Sequence, residues 1–233
     1  MITAITGKIR VGKTSFMTAK AVLNALDPEK RSKMLLEVSK LRARGYTVTE
    51  NKFALYANYG ITHDTHRGTV FSAVRIDPLK LAIRSRAAKA QQDITYIRPH
   101  CTIAIAEAQT YFNARTFQKF TPEQARFFQT SGHFGVDMYL DTQDFETLDK
   151  TIRGLCDIYH INERRIFDDK GRQVNRAEPR NVSRIIWYYD YYQNENGAPK
   201  PGSFEIDFNV YEDYNSFECY EDYLPENKLG TIL

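Results

Sequence analysis

Three features of the sequence predict an α/β fold with a central, mainly parallel sheet flanked by helices. A short apolar strand, Ile2 to Thr6, runs straight into a glycine-bearing loop and then into a helix-compatible stretch. Two nearly continuous apolar runs, His100 to Ala106 and Val136 to Thr142, have the composition of strands buried on both faces, as strands of parallel sheets are. Helical stretches alternate with the strands, the order that builds a parallel sheet through crossover connections.

The elements follow in order. Ser15 to Leu26 reads as the first helix, ending at Asp27-Pro28. Asp27 as N-cap and Pro28 at the first helical position open a second helix, whose Met34, Leu35, Val38 and Leu41 form an apolar stripe and which Gly45 closes; its other face is rich in Lys and Arg. Val48 to Tyr56 reads as a strand, Val70 to Val74 as a short one, and Asp77 to Ala90 as a helix starting at Pro78. After the strand ending at Ala106, Thr121-Pro122-Glu123-Gln124 opens another helix. The strand ending at Thr142 is followed by a helix over Glu146 to Leu155, and Cys156 to Ile161 closes the series. Beyond Asn162 the texture changes to an Arg-rich charged loop (Arg164 to Arg184), an aromatic strand (Arg184 to Tyr192), a turn at Asn196-Gly197 and a strand over Phe204 to Tyr211. The division expected is therefore an α/β core over 1–162 and a C-terminal β-hairpin appendage with an acidic end over 163–233.

Bulk properties set bounds on this reading. A chain of 233 residues with 42% hydrophobic and 26% charged content has the makings of one large core and is not globally disordered. Cys101, Cys156 and Cys219 are far apart and show no metal-ligand or disulfide spacing, which suggests a reducing compartment. No apolar run reaches the roughly 18 residues of a membrane span, and the N-terminus lacks the order of a signal peptide, so a soluble cytoplasmic protein is expected. Charge is unevenly spread: Ser203 to Glu226 holds eight acidic residues and no Lys or Arg, so the net charge of +3 leaves +11 on the remainder. A basic body suits a polyanion such as nucleic acid.

The chemistry is carried by Gly7-Lys8-Ile9-Arg10-Val11-Gly12-Lys13-Thr14, which fits G-x-x-x-x-G-K-[ST] between a strand and a helix. Gly7 and Gly12 let successive main-chain amides turn toward phosphates, and the helix that continues through Ser15 adds its positive end. Lys13 is placed to bridge the β- and γ-phosphates of ATP, and the Thr14 hydroxyl to bind Mg²⁺. The fold class is thus a P-loop NTPase. Hydrolysis also needs an acid at the end of a neighbouring strand, and Glu107 is so placed, to activate water and to help hold the metal. Ala106 stands where an aspartate often precedes such a glutamate, with Asp141 or Asp144 available as a further carboxylate. Gln143, just past the next buried strand, has an amide that both donates and accepts, suited to a γ-phosphate or an attacking water.

Taken together, ITGKIRVGKTSF, IAIAEAQTYFNAR and GHFGVDMYLDTQDFETLDKTIRGL resemble the Zot (zonular occludens toxin) family of phage P-loop ATPases, relatives of the FtsK-HerA DNA motors. The resemblance runs from Met1 to about Ile161, with a fainter echo over Val210 to Ser216. It places the family's glutamate-alanine-glutamine triplet at Glu107-Ala108-Gln109, with Phe112, Arg115 and Gln143 at further motif positions. Ala106 in place of the usual aspartate, and Gly132-His133 in place of an arginine-histidine pair, are departures. The resemblance implies an ATPase that couples hydrolysis to DNA packaging, translocation or virion extrusion in the cytoplasm of a bacterial host. It further implies a pentameric or hexameric ring, phosphate contacts to DNA without sequence preference, and capsid or assembly proteins as partners. In such a ring Arg115 would act on the neighbouring subunit's nucleotide, with Arg153 and Arg126 as other choices. Two readings compete: a P-loop kinase for a nucleoside or nucleotide, and a scaffold that binds ATP and barely hydrolyses it.

Overall fold

The computed structural model describes residues 1–45, 54–65, 69–83, 95–115, 122–168, 170–174, 183–191 and 199–206. Its first strand, β1 (Ile2–Gly7), is buried along its whole length and leads through the glycine loop into helix α1 (Lys13–Leu26). Asp27 then caps α2 (Pro28–Ala43), its side chain accepting from the Lys30 amide at 2.8 Å. The predicted apolar stripe of α2 is narrower than its sequence suggests, because Met34 and Val38 are buried while Leu35 is 51% exposed.

Downstream come β2 (Leu55–Ala57), the antiparallel pair β3 (Thr62–Thr65) and β4 (Thr69–Ser72), and β5 (Val74–Arg75). The helix expected over Asp77 to Ala90 is not formed in its described part. Asp77 and Pro78 do start a turn, with the Asp77 carboxylate accepting from the Leu79 amide at 3.0 Å, but it is a single 3-10 turn. The chain then extends into β6 (Leu81–Ile83), which pairs in parallel with β7 (Thr95–Ile97); residues 84–94 lie outside the described residues.

The two buried runs form β8 (Thr102–Ile105) and, after the short helix α3 (Ala108–Tyr111) and helix α4 (Pro122–Ser131), β9 (Asp137–Asp141). In place of the helix expected over Glu146 to Leu155 there is a 3-10 turn at Phe145–Thr147 and one helical turn, α5 (Lys150–Arg153). Asp149 interrupts: its carboxylate accepts from the Thr151 amide at 2.8 Å and starts a new turn there. The last parallel strand does not stop at Ile161; β10 spans Cys156–Phe167, so the first part of the expected Arg-rich loop is strand. A short β11 (Gln173–Val174) pairs with its end, and β12 (Ser183–Asp190) and β13 (Lys200–Ile206) complete the chain's described elements.

The main sheet runs in the order β13-β12-β10-β1-β9-β8-β2-β5, with β11 attached to β10. From β10 to β5 the neighbours are parallel, whereas β12 and β13 continue the sheet antiparallel. Of the two hairpin strands expected at the C-terminal end, β12 falls on the expected aromatic strand, whereas β13 starts four residues before the expected Phe204 and residues 207–211 lie outside the described residues; both strands continue the main sheet through β10. Alternation along the strands divides the core. Ile103, Ile105, Met138 and Leu140 face one layer with Phe127 and Phe128 of α4. Ile5, Ala104, Ala106, Tyr139 and Ile161 face the other, against Phe16, Met17 and Val22 of α1. Phe16, 0% exposed, packs against Tyr159, Tyr188 and Phe204 with ring centroids 5.8, 5.1 and 5.4 Å away, which ties the P-loop helix to three strands of the sheet's antiparallel end.

Candidate nucleotide-binding site

The site lies where the carboxyl ends of β1, β9 and β8 meet the start of α1. Gly7 has φ +139°, and a Cβ there would lie 2.7 Å from the carbonyl oxygen of Ile161 on β10, so only glycine fits this turn. Gly12, at φ +98°, is the N-cap of α1 and points the chain into the helix. A Cβ on Gly12 would meet Arg164 Cδ at 3.0 Å and Ile186 Cδ1 at 3.3 Å. Strands β10 and β12 therefore form one wall of the loop, a role that no pattern in Arg164 or Ile186 announces in the sequence.

Lys13 and Thr14 follow at the amino end of α1. Lys13 is only 7% exposed; its ammonium donates to the carbonyl of Lys8 at 3.3 Å, within the loop, and stands 3.9 Å from Asp141 Oδ1. The Thr14 hydroxyl donates to Asp141 Oδ2 at 2.6 Å. Ser15 is buried in the first turn. Asp141 itself is 1% exposed, and its Oδ1 has no hydrogen-bond partner among the described residues. Burial pushes its pKa up to about 6, against the opposing pull of Lys13 and the Thr14 hydrogen bond, while the nearby Glu107 charge adds to the rise.

Glu107 follows β8 in a left-handed conformation, φ 51°, as N-cap of α3. The turn beneath it is clamped by Asn58, 2% exposed, whose side chain accepts from the Ala106 amide at 2.8 Å and donates to the Ala106 carbonyl at 3.0 Å. No local pattern marks Asn58, because its partner Ala106 is distant in sequence and is brought beside it only by the pairing of β2 with β8. Gln143 donates to Glu107 Oε2 at 3.4 Å, and Gln109 donates to the same oxygen. This meeting follows from the topology: β8 and β9 are paired in parallel, Ile105 opposite Leu140, so their ends release Glu107 and Gln143 side by side.

The structure thus brings Gly7, Gly12, Lys13, Thr14 and Ser15 into one loop and first turn, and Glu107 and Gln143 into contact. Arg115 is not part of that group; it is exposed beyond α3, its amide donating to Asn113 at 2.8 Å. Arg153 forms an ion pair with Glu146, and Arg126 is exposed on α4. Among the aromatic residues, Tyr188 packs inward on Phe16 and Tyr159, whereas Trp187 lies on the opposite face under the Arg165 guanidinium, 5.0 Å from its ring centre. The acidic residues from Asp207 onward lie outside the described residues.

A loop of this kind between β1 and α1, with acids at the ends of neighbouring parallel strands, is a P-loop NTPase arrangement. A family model described as zonular occludens toxin (Zot) matches residues 1–173. The chain belongs to the Zot family. Among solved structures, the N-terminal domain of zonular occludens toxin from Neisseria meningitidis aligns with a TM-score of 0.50 at 18% identity, over 92% of this chain and 98% of that one, which shows a shared fold. The genome packaging NTPase B204 from Sulfolobus turreted icosahedral virus 2, solved with ATP-gammaS, aligns with a TM-score of 0.36 at 15% identity over 86% of this chain and 95% of that one. No curated protein matches. Among the described residues of this Zot-family chain, no helix is long and apolar enough to cross a membrane.

Proposed function

We propose that this Zot-family chain binds ATP with Mg²⁺ at its P-loop and hydrolyses it. The observation that carries the reading is the meeting of Glu107 and Gln143 at the ends of adjacent strands, beside a loop whose lysine and threonine are already engaged with a buried acid. Lys13 would neutralise the terminal phosphates, and the amides from Lys8 to Thr14 would wrap them. The residues fit a divalent cation, since Thr14 keeps lone pairs while its proton goes to Asp141, and Asp141 Oδ1 is buried without a hydrogen-bond partner among the described residues. Such a cation would offset the charge that builds on the phosphate oxygens. Gln143 and Glu107 would hold a water in line with the γ-phosphorus. As the water oxygen bonds to phosphorus and the bond to the bridging oxygen of ADP breaks, Glu107 takes the water's proton.

Beyond hydrolysis, the family and the basic body support an ATPase of phage assembly that acts as a ring on DNA. Arg115, exposed and apart from its own loop, would then reach the neighbour's γ-phosphate; such an arginine is typically worth about 10³ to 10⁵ in rate. Phosphate release measured with and without DNA tests the reading, alongside Glu107→Gln and the particle mass in solution with an ATP analogue and DNA. Turnover that DNA stimulates, that Glu107→Gln reduces by about 10² or more, and that comes from a multimer is expected. A persistent monomer would remove the ring, and turnover unchanged by Glu107→Gln would remove the assigned chemistry.

A further inference from the structure

We infer that Asp141, at the end of β9, is the carboxylate that supports the nucleotide's metal at this P-loop, in the place that β8 leaves to Ala106. The inference rests on the nucleotide reading above and goes beyond it by assigning the acid.

A P-loop threonine and an acid from a neighbouring strand together hold the cation in proteins of this type. The strand expected to supply that acid is β8, because it carries Glu107, yet the residue before Glu107 is Ala106, 1% exposed and packed with Ile5, Phe16 and Ala104. The sheet shows where the charge has gone. Strand β9 is inserted between β1 and β8, and the parallel pairings Ile5–Asp141 and Ile105–Leu140 set Asp141 level with Ile5, two residues before the end of β1, and one residue beyond the last β8 pair. Asp141 follows Tyr139 in the two-residue alternation, and Tyr139 shares with Ala106 the layer that faces α1. An aspartate at 106 would stand one strand farther from the loop. Asp141 stands on the strand that pairs with β1 itself.

Its contacts are those the role requires. One oxygen accepts the Thr14 proton at 2.6 Å, which leaves the Thr14 lone pairs for a cation; the other is buried, without a hydrogen-bond partner among the described residues, and stands 3.9 Å from the Lys13 ammonium. An aspartate held this deep with one oxygen unmatched among the described residues is poorly explained as packing, since an asparagine would fill the same space and bond Thr14 equally well. A second positive charge beside Oδ1 explains it.

The test is ADP binding to the full chain by titration calorimetry, in Mg²⁺ and in EDTA, for the natural protein and for Asp141→Asn. The natural protein is expected to bind ADP at least about tenfold more tightly in Mg²⁺ than in EDTA, and Asp141→Asn to lose most of that increment while its affinity in EDTA stays equal or improves. A structural role alone would lower both affinities, so parallel losses in Mg²⁺ and EDTA overturn the assignment. A full increment in Asp141→Asn also overturns it and leaves the nucleotide reading standing. If the natural protein binds no ADP under either condition, both fall together.

Discussion

Replacing Asp141 by asparagine is expected to make the metal-free, nucleotide-free protein more stable at neutral pH. The carboxyl is 1% exposed, and burial raises its pKa from 3.8 to about 6 despite Lys13 and Thr14. A carboxyl whose folded pKa exceeds its unfolded value binds more protons folded than unfolded. Stability is therefore lost as pH rises through the window from 3.8 to about 6, and is flat above it. At about 1.4 kcal/mol per pKa unit, the ionised side chain destabilises the fold by up to about 3 kcal/mol near neutrality. Asparagine keeps the shape and an acceptor for the Thr14 hydroxyl, and it does not ionise. For a chain of this length about 2 to 4 °C accompanies each kcal/mol, so a melting temperature raised by up to about 6 to 12 °C at neutral pH is expected, shrinking toward zero near pH 4. Thermal unfolding followed by circular dichroism in EDTA, at a series of pH values, reads the difference directly. A gap between the two proteins that does not change with pH, or an asparagine variant less stable at neutral pH, would refute the reasoning.

Other substitutions probe the loop and its wall. Gly7→Ala puts a side chain at φ +139° and within 2.7 Å of a main-chain oxygen that cannot swing aside; a loss of more than about 2 kcal/mol in urea unfolding is expected, and nucleotide binding should go with it. Ile186, 0% exposed on β12 and 3.3 Å from a Cβ built on Gly12, joins the hairpin strands to the loop. Ile186→Ala should cost about 2 to 5 kcal/mol, and a chain ended at residue 162 should fail to give a cooperative melt, because it exposes Phe16.

Much of the fold was legible from hydrophobic pattern alone. Burial on both faces leaves its mark on composition, so the apolar runs ending at Ala106 and Thr142 read as strands, and Asp27-Pro28 marked a helix start because side-chain capping is local. The errors came where one local signal serves two structures. Asp77-Pro78 begins a helix or a single turn equally well, and only pairing with β7 decides for strand at Leu81–Ile83. Arg164 and Arg165 read as loop because they are charged, yet β10 carries them alongside β12. In the site, the loop glycines, Lys13 and Thr14 were legible because the motif is contiguous, and the Glu107–Gln143 contact was foreseeable if their strands were neighbours. The direct bond from Thr14 to Asp141 was not: it depends on β9 lying next to β1, and strand order is set by tertiary packing.

The most direct measurement is the affinity of a fluorescent ATP analogue for the natural protein and for Lys13→Ala in Mg²⁺. Saturable binding with one nucleotide per chain is expected, weakened at least about tenfold when the ammonium is removed. Equal affinity in the two proteins, or no binding by the natural one, would contradict the claim that the loop from Gly7 to Thr14 holds the phosphates.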